Sequence, residues 1–139
     1  MIEIFVQSRY QVDRRVIRKR VEFFLQKLSI DPAQYTVSIA IVGDRKMSQI
    51  HRRFAHKDGT TPVLSFPLSA GQLRLGEAID KKHAQHVRET IGKDNPTLLG
   101  EIVVSYPQTL LFAADENKLV DVKIGEFIEH GLTKLLTTT

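Results

Sequence analysis

The chain contains no cysteine. That absence removes disulfides, thiolate metal ligands and a cysteine nucleophile together. Any metal centre must be built from His, Asp or Glu, and the histidines number five: His51, His56, His83, His86 and His130. Long apolar runs are missing too. No stretch approaches the roughly 20 uncharged apolar residues that a membrane span needs. The N-terminus, MIEIFVQSRYQVDRR, puts its charge after a very short apolar run, which is not the layout of a signal peptide. Gly71, Gly76 and Gly92 stand isolated, so no glycine-rich loop cradles phosphate, and no serine sits in a G-x-S-x-G elbow. A Ser-His-Asp set can be drawn from Ser65, His130 and Asp58, but no spacing supports it.

What is present is the composition of a folded protein. With 139 residues, 42% of them hydrophobic, the chain can bury a core without staples, and its length suits one domain over residues 1–139. Lys plus Arg is 20 against 16 Asp plus Glu, a formal +4. That balance tilts mildly toward polyanionic partners, though a soluble surface with a small charge excess would show it too.

The apolar pattern predicts the order β-α-β-α-β-(insert)-β-α-α, an α+β (mixed α/β) fold with one mixed four-stranded sheet packed with helices. Ile2 to Val6 reads as the first strand. Asp13 is placed to cap a helix running to Leu28, with Ile17, Val21, Phe24, Leu25 and Leu28 as its apolar stripe. Its outer surface carries Arg14, Arg15, Arg18, Lys19 and Arg20, the densest basic run in the chain. Tyr35 to Val42 alternates, with Val37, Ile39 and Ile41 on one face and Thr36, Ser38 and Ala40 on the other. Gly43 breaks this strand, and Asp44 is placed to cap a second helix over Arg45 to Phe54. After the loop from His56 to Pro62, Val63 to Phe66 reads as a short strand stopped by Pro67. The stretch from Leu68 to Leu98 lacks a strong apolar stripe and reads as an insertion, with a helix over Glu77 to Ile91. Glu101 to Ser105 reads as an interior strand, Pro107 opens a short helix to Asn117, and the last helix runs from Val120 to Leu136.

That last helix has a predicted buried stripe of Val120, Ile124, Phe127, Ile128, Leu132 and Leu135. His130 and Lys134 lie one turn apart on its edge. Two imidazoles at this spacing can hold one metal ion from a single helix. Here the second position is Lys134, and a protonated lysine has no lone pair to give. On spacing alone, His130 is a boundary residue beside the stripe. His51 and His56, five apart, fall on different faces of any helix. His83 and His86, with Lys81, Lys82 and Arg88, fit either a metal pair or a solvated basic face.

Three segments together resemble the YbeY family of bacterial ribosomal-RNA maturation endoribonucleases. They are Val37 to Asp44 (VSIAIVGD), Ile50 to Pro67 (IHRRFAHKDGTTPVLSFP), and Leu99 to Ser105 (LGEIVVS) followed by Phe127 to Leu136 (FIEHGLTKLL). The order and most spacings agree over nearly the whole chain. The resemblance implies a zincin-like C-terminal helix and a single zinc held by three histidines in H-G-x-L-H-L-x-G-x-D-H. His130 then takes the first ligand position, with Gly131, Leu132 and Leu135 fitting the pattern. Lys134 stands at the second ligand position, Thr137 at the glycine and Thr139 at the aspartate. The sequence stops one residue before the third ligand. The family's arginine two residues before Lys57 is here Ala55, while Lys57 and Asp58 are kept, and Pro62 replaces a usual polar residue.

The resemblance implies a cytoplasmic, metal-dependent endoribonuclease specific for single strands. Its partners would be ribosomal RNA and the small ribosomal subunit. Zinc is implied by the family, yet this chain has too few of the ligands to hold it tightly. The candidate RNA surface is Arg14, Arg15, Arg18, Arg52, Arg53 and Lys57, whose phosphate contacts would make binding fall steeply with salt. The departures at the ligand positions leave two other readings: a non-catalytic RNA- or ribosome-binding relative, and a protein–protein interaction module.

Overall fold

The structure, a computed structural model, describes residues 2–67 and 97–137. In chain order it forms β1 (Ile2–Val6), α1 (Arg14–Lys27), a 3-10 turn (Pro32–Gln34), β2 (Tyr35–Val42), α2 (Asp44–Ala55), β3 (Val63–Pro67), β4 (Thr97–Ser105), α3 (Tyr106–Asp115) and α4 (Val120–Thr137). The sheet order is β1-β2-β4-β3. β1, β2 and β4 run parallel, and β3 runs antiparallel to β4. This is the mixed sheet of the expected α+β fold.

The period-2 alternation of the strands decides which helix lies where. Val37, Ile39, Ile41, Ile102 and Val104 point to one face, where Ile17, Val21 and Leu25 of α1 and Ile124, Ile128, Leu132 and Leu135 of α4 cover them. Ala40, Val42 and Val103 point to the other face, against Met47 and Ile50 of α2. Each fully buried Leu or Ile contributes on the order of 2 kcal/mol, so packing rather than helix propensity holds α4 in place. Asp13 caps α1 as expected, accepting a hydrogen bond from Arg15 N at 2.9 Å.

Four details of the sequence reading need correction. Leu28 is not on the buried stripe of α1; it ends the helix and is 49% exposed. Arg20 is not an outward surface charge: it crosses to α4, pairing with Glu129 at 2.8 Å and donating to Val122 O at 3.2 Å. Asp44 is not a capping side chain, for Gly43 occupies the N-cap position without a side-chain bond. The strand expected from Glu101 starts earlier, because Thr97 and Leu98 belong to β4 and pair with Tyr35 and Thr36. The remainder of the expected insertion, with the helix expected over Glu77 to Ile91 and the pair His83 and His86, lies outside the described residues.

The β4 extension is hidden in the sequence by an irregularity. The register with β2 slips after Thr36, leaving Leu99 as an extra residue, and Gly100 follows at φ +154°. A side chain there would be strained by its backbone angle. Its Cβ would also sit 2.5 Å from Phe66 O and 2.7 Å from Leu135 Cδ2. Gly100→Ala should therefore lower unfolding free energy by on the order of 3 kcal/mol in urea denaturation; a loss under about 0.5 kcal/mol would show that the irregularity is freely remodelled.

Candidate functional site

Asp44 organises one end of the sheet. Its Oδ1 accepts hydrogen bonds from Thr60 Oγ1 at 2.9 Å and Ser105 Oγ at 2.8 Å, and its Oδ2 accepts from Gln108 Nε2 at 3.3 Å. Ser105 is fully buried at the end of β4, and its Oγ also accepts from Gln108 N at 3.2 Å, which caps α3. One carboxylate thus joins the start of α2, the loop after it, the end of β4 and the start of α3. Hydrogen bonds to an ionised group are about twice as strong as neutral ones, so the junction is firm.

The loop after α2 is pinned along its length. His56 takes a left-handed conformation at φ +57° and turns the chain out of the helix. His51 Nδ1 donates to Gly59 O at 3.0 Å, and Ser105 N donates to Pro62 O at 2.9 Å. These bonds hold Thr61, Pro62 and Val63 across an open cleft of about 450 Å³ from Lys123, Glu126, Phe127, His130 and Lys134 of α4. His130 and Lys134 are both exposed, one helical turn apart on this wall.

The floor of the α4 wall is a charge network that the sequence reading did not find. Lys123 is 9% exposed, with Nζ 2.7 Å from Glu116 and 3.3 Å from Glu126. Lys118 lies 2.8 Å from Glu126 and 3.5 Å from Glu116. Lys123 Nζ also sits 4.9 Å from the Phe127 ring centre, and Phe127 meets Phe112 of α3 edge to face at 5.6 Å. The hydrogen bond from Lys123 holds the Glu116 carboxyl below its ordinary 4.5, and the bond from Lys118 does the same for Glu126, against desolvation that raises both. Glu116 and Glu126 in turn hold Lys123 and Lys118 above their ordinary 10.5. The only sequence signal for this set was a lysine at a buried helical position.

A zinc centre does not fit these side chains. Among the described residues, no group of three or more His, Asp or Glu could hold a metal ion. Of the ligand-type groups on the cleft wall, Glu126 is engaged by two ammonium groups, which leaves His130 beside the ammonium of Lys134. A catalytic zinc site takes three protein ligands.

The basic residues expected to meet RNA divide between two sides of the sheet. Arg14, Arg15 and Arg18 lie on α1, and Arg52 and Arg53 lie on α2 with Lys57 just beyond. Arg52 Nε pairs with Asp58 at 3.2 Å, both side chains exposed. Arg14 and Arg18 reach the carbonyls of Ile4 and Ile2 at 3.5 and 3.4 Å. Among the described residues no helix is long and apolar enough to cross a membrane.

The chain matches the family described as Endoribonuclease YbeY over residues 4–137. It is 31% identical over 122 residues to the endoribonuclease YbeY of Anaeromyxobacter sp. (strain Fw109-5), covering 88% of this chain and 52% of that relative. It is 28% identical over 130 residues to the endoribonuclease YbeY of Syntrophus aciditrophicus, covering 94% and 69%. The chain thus spans about half the length of the first of these relatives. A solution structure of a Thermotoga maritima protein superimposes with a TM-score of 0.57 at 20% identity, over 97% of this chain and 71% of the other, which is a likeness of fold.

Two outcomes follow from the cleft. The lowered carboxyls add stability above their ordinary 4.5 that is lost as pH falls through their depressed values, and the raised lysines add stability below 10.5 that is lost as pH rises past theirs. Lys123→Met should flatten the acid side of this window, seen as a smaller drop in urea midpoint between about pH 5 and pH 3 than in the parent protein; an identical drop would mean the network carries no pH dependence. Metal analysis after dialysis should return far less than one zinc per chain, and a stoichiometric zinc surviving dialysis would contradict the misfit.

Proposed function

The chain belongs to the YbeY family of endoribonucleases, and from that premise we propose that it cleaves single-stranded RNA in ribosomal RNA maturation, meeting its substrate at the cleft beside α4. The observation that carries this reading is the family match across residues 4–137, which takes in every element that builds the cleft. The partners are ribosomal RNA and the small ribosomal subunit, and the location is the cytoplasm. His130 is the proton-transfer group of the cleft, since an imidazole suits that role. Lys134 supplies positive charge for a phosphodiester oxygen from the next turn of α4. Arg52, Arg53 and Lys57 on one side of the sheet, and Arg14, Arg15 and Arg18 on the other, hold phosphates outside the cleft. The zinc implied by the family has no tightly binding site in the described residues, so no step is assigned to it.

A second reading, an RNA- or ribosome-binding relative without cleavage, is favoured by Lys134 at the position where a second metal ligand belongs. A labelled single-stranded ribosomal RNA fragment separates the two. Cleavage is expected from the purified protein and is reduced at least 100-fold in His130→Ala, the usual scale for losing an acid–base group. Binding without any cut would leave the second reading standing. Cleavage at the parent rate by His130→Ala would remove His130 from the reaction.

A further inference from the structure

A second recess lies away from the α4 cleft, at the carboxyl ends of β1 and β2. It measures about 410 Å³ and is lined by Gln7, Arg9, Tyr10, Asp44, Arg45 and Gln49, among others. In sheets with parallel strands this end is where ligands are commonly held. The recess is built rather than incidental. Gln7 Oε1 accepts from Gly43 N at 2.8 Å, which ties the chain after β1 to the start of α2. Tyr10 stacks on Tyr106 of α3 at 4.5 Å, and the Arg9 guanidinium lies 5.8 Å from the centre of the Tyr10 ring. The column Tyr106–Tyr10–Arg9 orders a guanidinium at the rim of the recess.

The recess opens onto the outer face of α2. Arg45, Gln49, Arg52 and Arg53 recur at helical spacing opposite the buried Met47 and Ile50, and with Ser48 they line a groove of about 500 Å³. Arg45 and Arg52 are two turns apart, about 10 Å along the axis. Arg9, Arg45 and Arg53 are exposed and have no carboxylate partner among the described residues. Arg52 has Asp58, but a fully exposed pair of that kind is worth little and yields readily to a competing anion. The one acid on the floor of the recess, Asp44, has its charge spread over three accepted hydrogen bonds. The row therefore presents guanidinium forks, which match phosphate geometry, and at Arg9, Arg45 and Arg53 no carboxylate among the described residues compensates their charge.

We propose that this recess and the α2 groove form one track for the phosphate backbone of a single RNA strand, with Arg9 and Arg45 as its phosphate ligands at the sheet end and Arg52 and Arg53 continuing it. One row of forks along one helix suits one backbone. The proposal rests on the RNA reading above and adds to it the route of the strand. Arg9 and Arg45 were not among the residues that the sequence pointed to, because nothing local joins a loop after β1 to the first turn of α2.

The test is equilibrium binding of a fluorescent single-stranded RNA of about 12 nucleotides, a length within reach of one domain, over a series of salt concentrations. Arg9→Ala/Arg45→Ala is compared with the parent and with Lys19→Ala/Lys27→Ala, which removes the same charge from exposed sites on α1. Both arginines are exposed, so the variant should fold, and circular dichroism checks this. The recess variant should bind at least tenfold more weakly at low salt. Its slope of log K against log salt should be smaller by about 1.4, the value for two lost single-strand phosphate contacts, while the α1 variant keeps the parent slope. An unchanged slope in Arg9→Ala/Arg45→Ala with RNA still bound would overturn the track and leave the RNA reading intact. An equal loss in the α1 variant would overturn it as general charge attraction. A parent protein that binds no RNA would overturn both.

Discussion

A single carboxylate sets the geometry at the working end of this fold. Asp44 comes immediately after Gly43, which follows β2, so its position is fixed by a strand buried along nearly its whole length. From there it accepts from the loop at Thr60, from β4 at Ser105 and from α3 at Gln108. An ionised group held by three donors resists displacement, because each donor that leaves exposes a charge it had satisfied. The loop bearing Thr61 to Val63 faces α4 because this junction holds its base. The recess beside Arg9 has its floor for the same reason. Both candidate surfaces are therefore two sides of one half-buried polar joint.

The cleft on the α4 side is electrostatically self-contained. Lys123 and Lys118 pair with Glu116 and Glu126, which cancels four charges before any ligand arrives. What remains on the wall is His130 and Lys134, one turn apart. A metal centre needs anionic or neutral lone-pair donors converging on one point, and an ammonium group at this place repels the cation. The same ammonium attracts phosphate. The charge at this turn of α4 therefore suits an anion better than a cation.

Much of the architecture was legible from residue patterns. Ile2–Val6 and Tyr35–Val42 have the bounds that the residue pattern predicted, and Ile124, Ile128, Leu132 and Leu135 of the predicted α4 stripe are buried, while Val120 and Phe127 are half-buried. These are local signals, in which each residue's environment follows from its neighbours in sequence. What was not legible depends on partners distant in the chain. Arg20 looked solvated because Glu129, its partner, is 109 residues away. Asp44 looked like a helix cap because Ser105 and Gln108 are more than 60 residues on. The first residues of β4 were lost in the insertion because the slip at Leu99 breaks the alternation that marks a strand. The candidate site was partly legible: motif and spacing singled out His130 and Lys134, which line the cleft, whereas the Lys123 network and the recess at Arg9 exist only once α3, α4 and the loops are assembled.

The contacts of Arg14 and Arg18 have a consequence for how the protein behaves in a crowded solution. β1 is an outer strand of the described sheet, and such a strand offers unpaired carbonyls to any other extended chain. Arg18 reaches the carbonyl of Ile2 and Arg14 that of Ile4, from the helix that follows β1 directly in sequence. A second strand approaching this side would have to displace two guanidinium groups and approach a charged helix. Two carbonyls on the outer strand are thus already met by guanidinium groups, which disfavours edge-to-edge pairing of this small sheet.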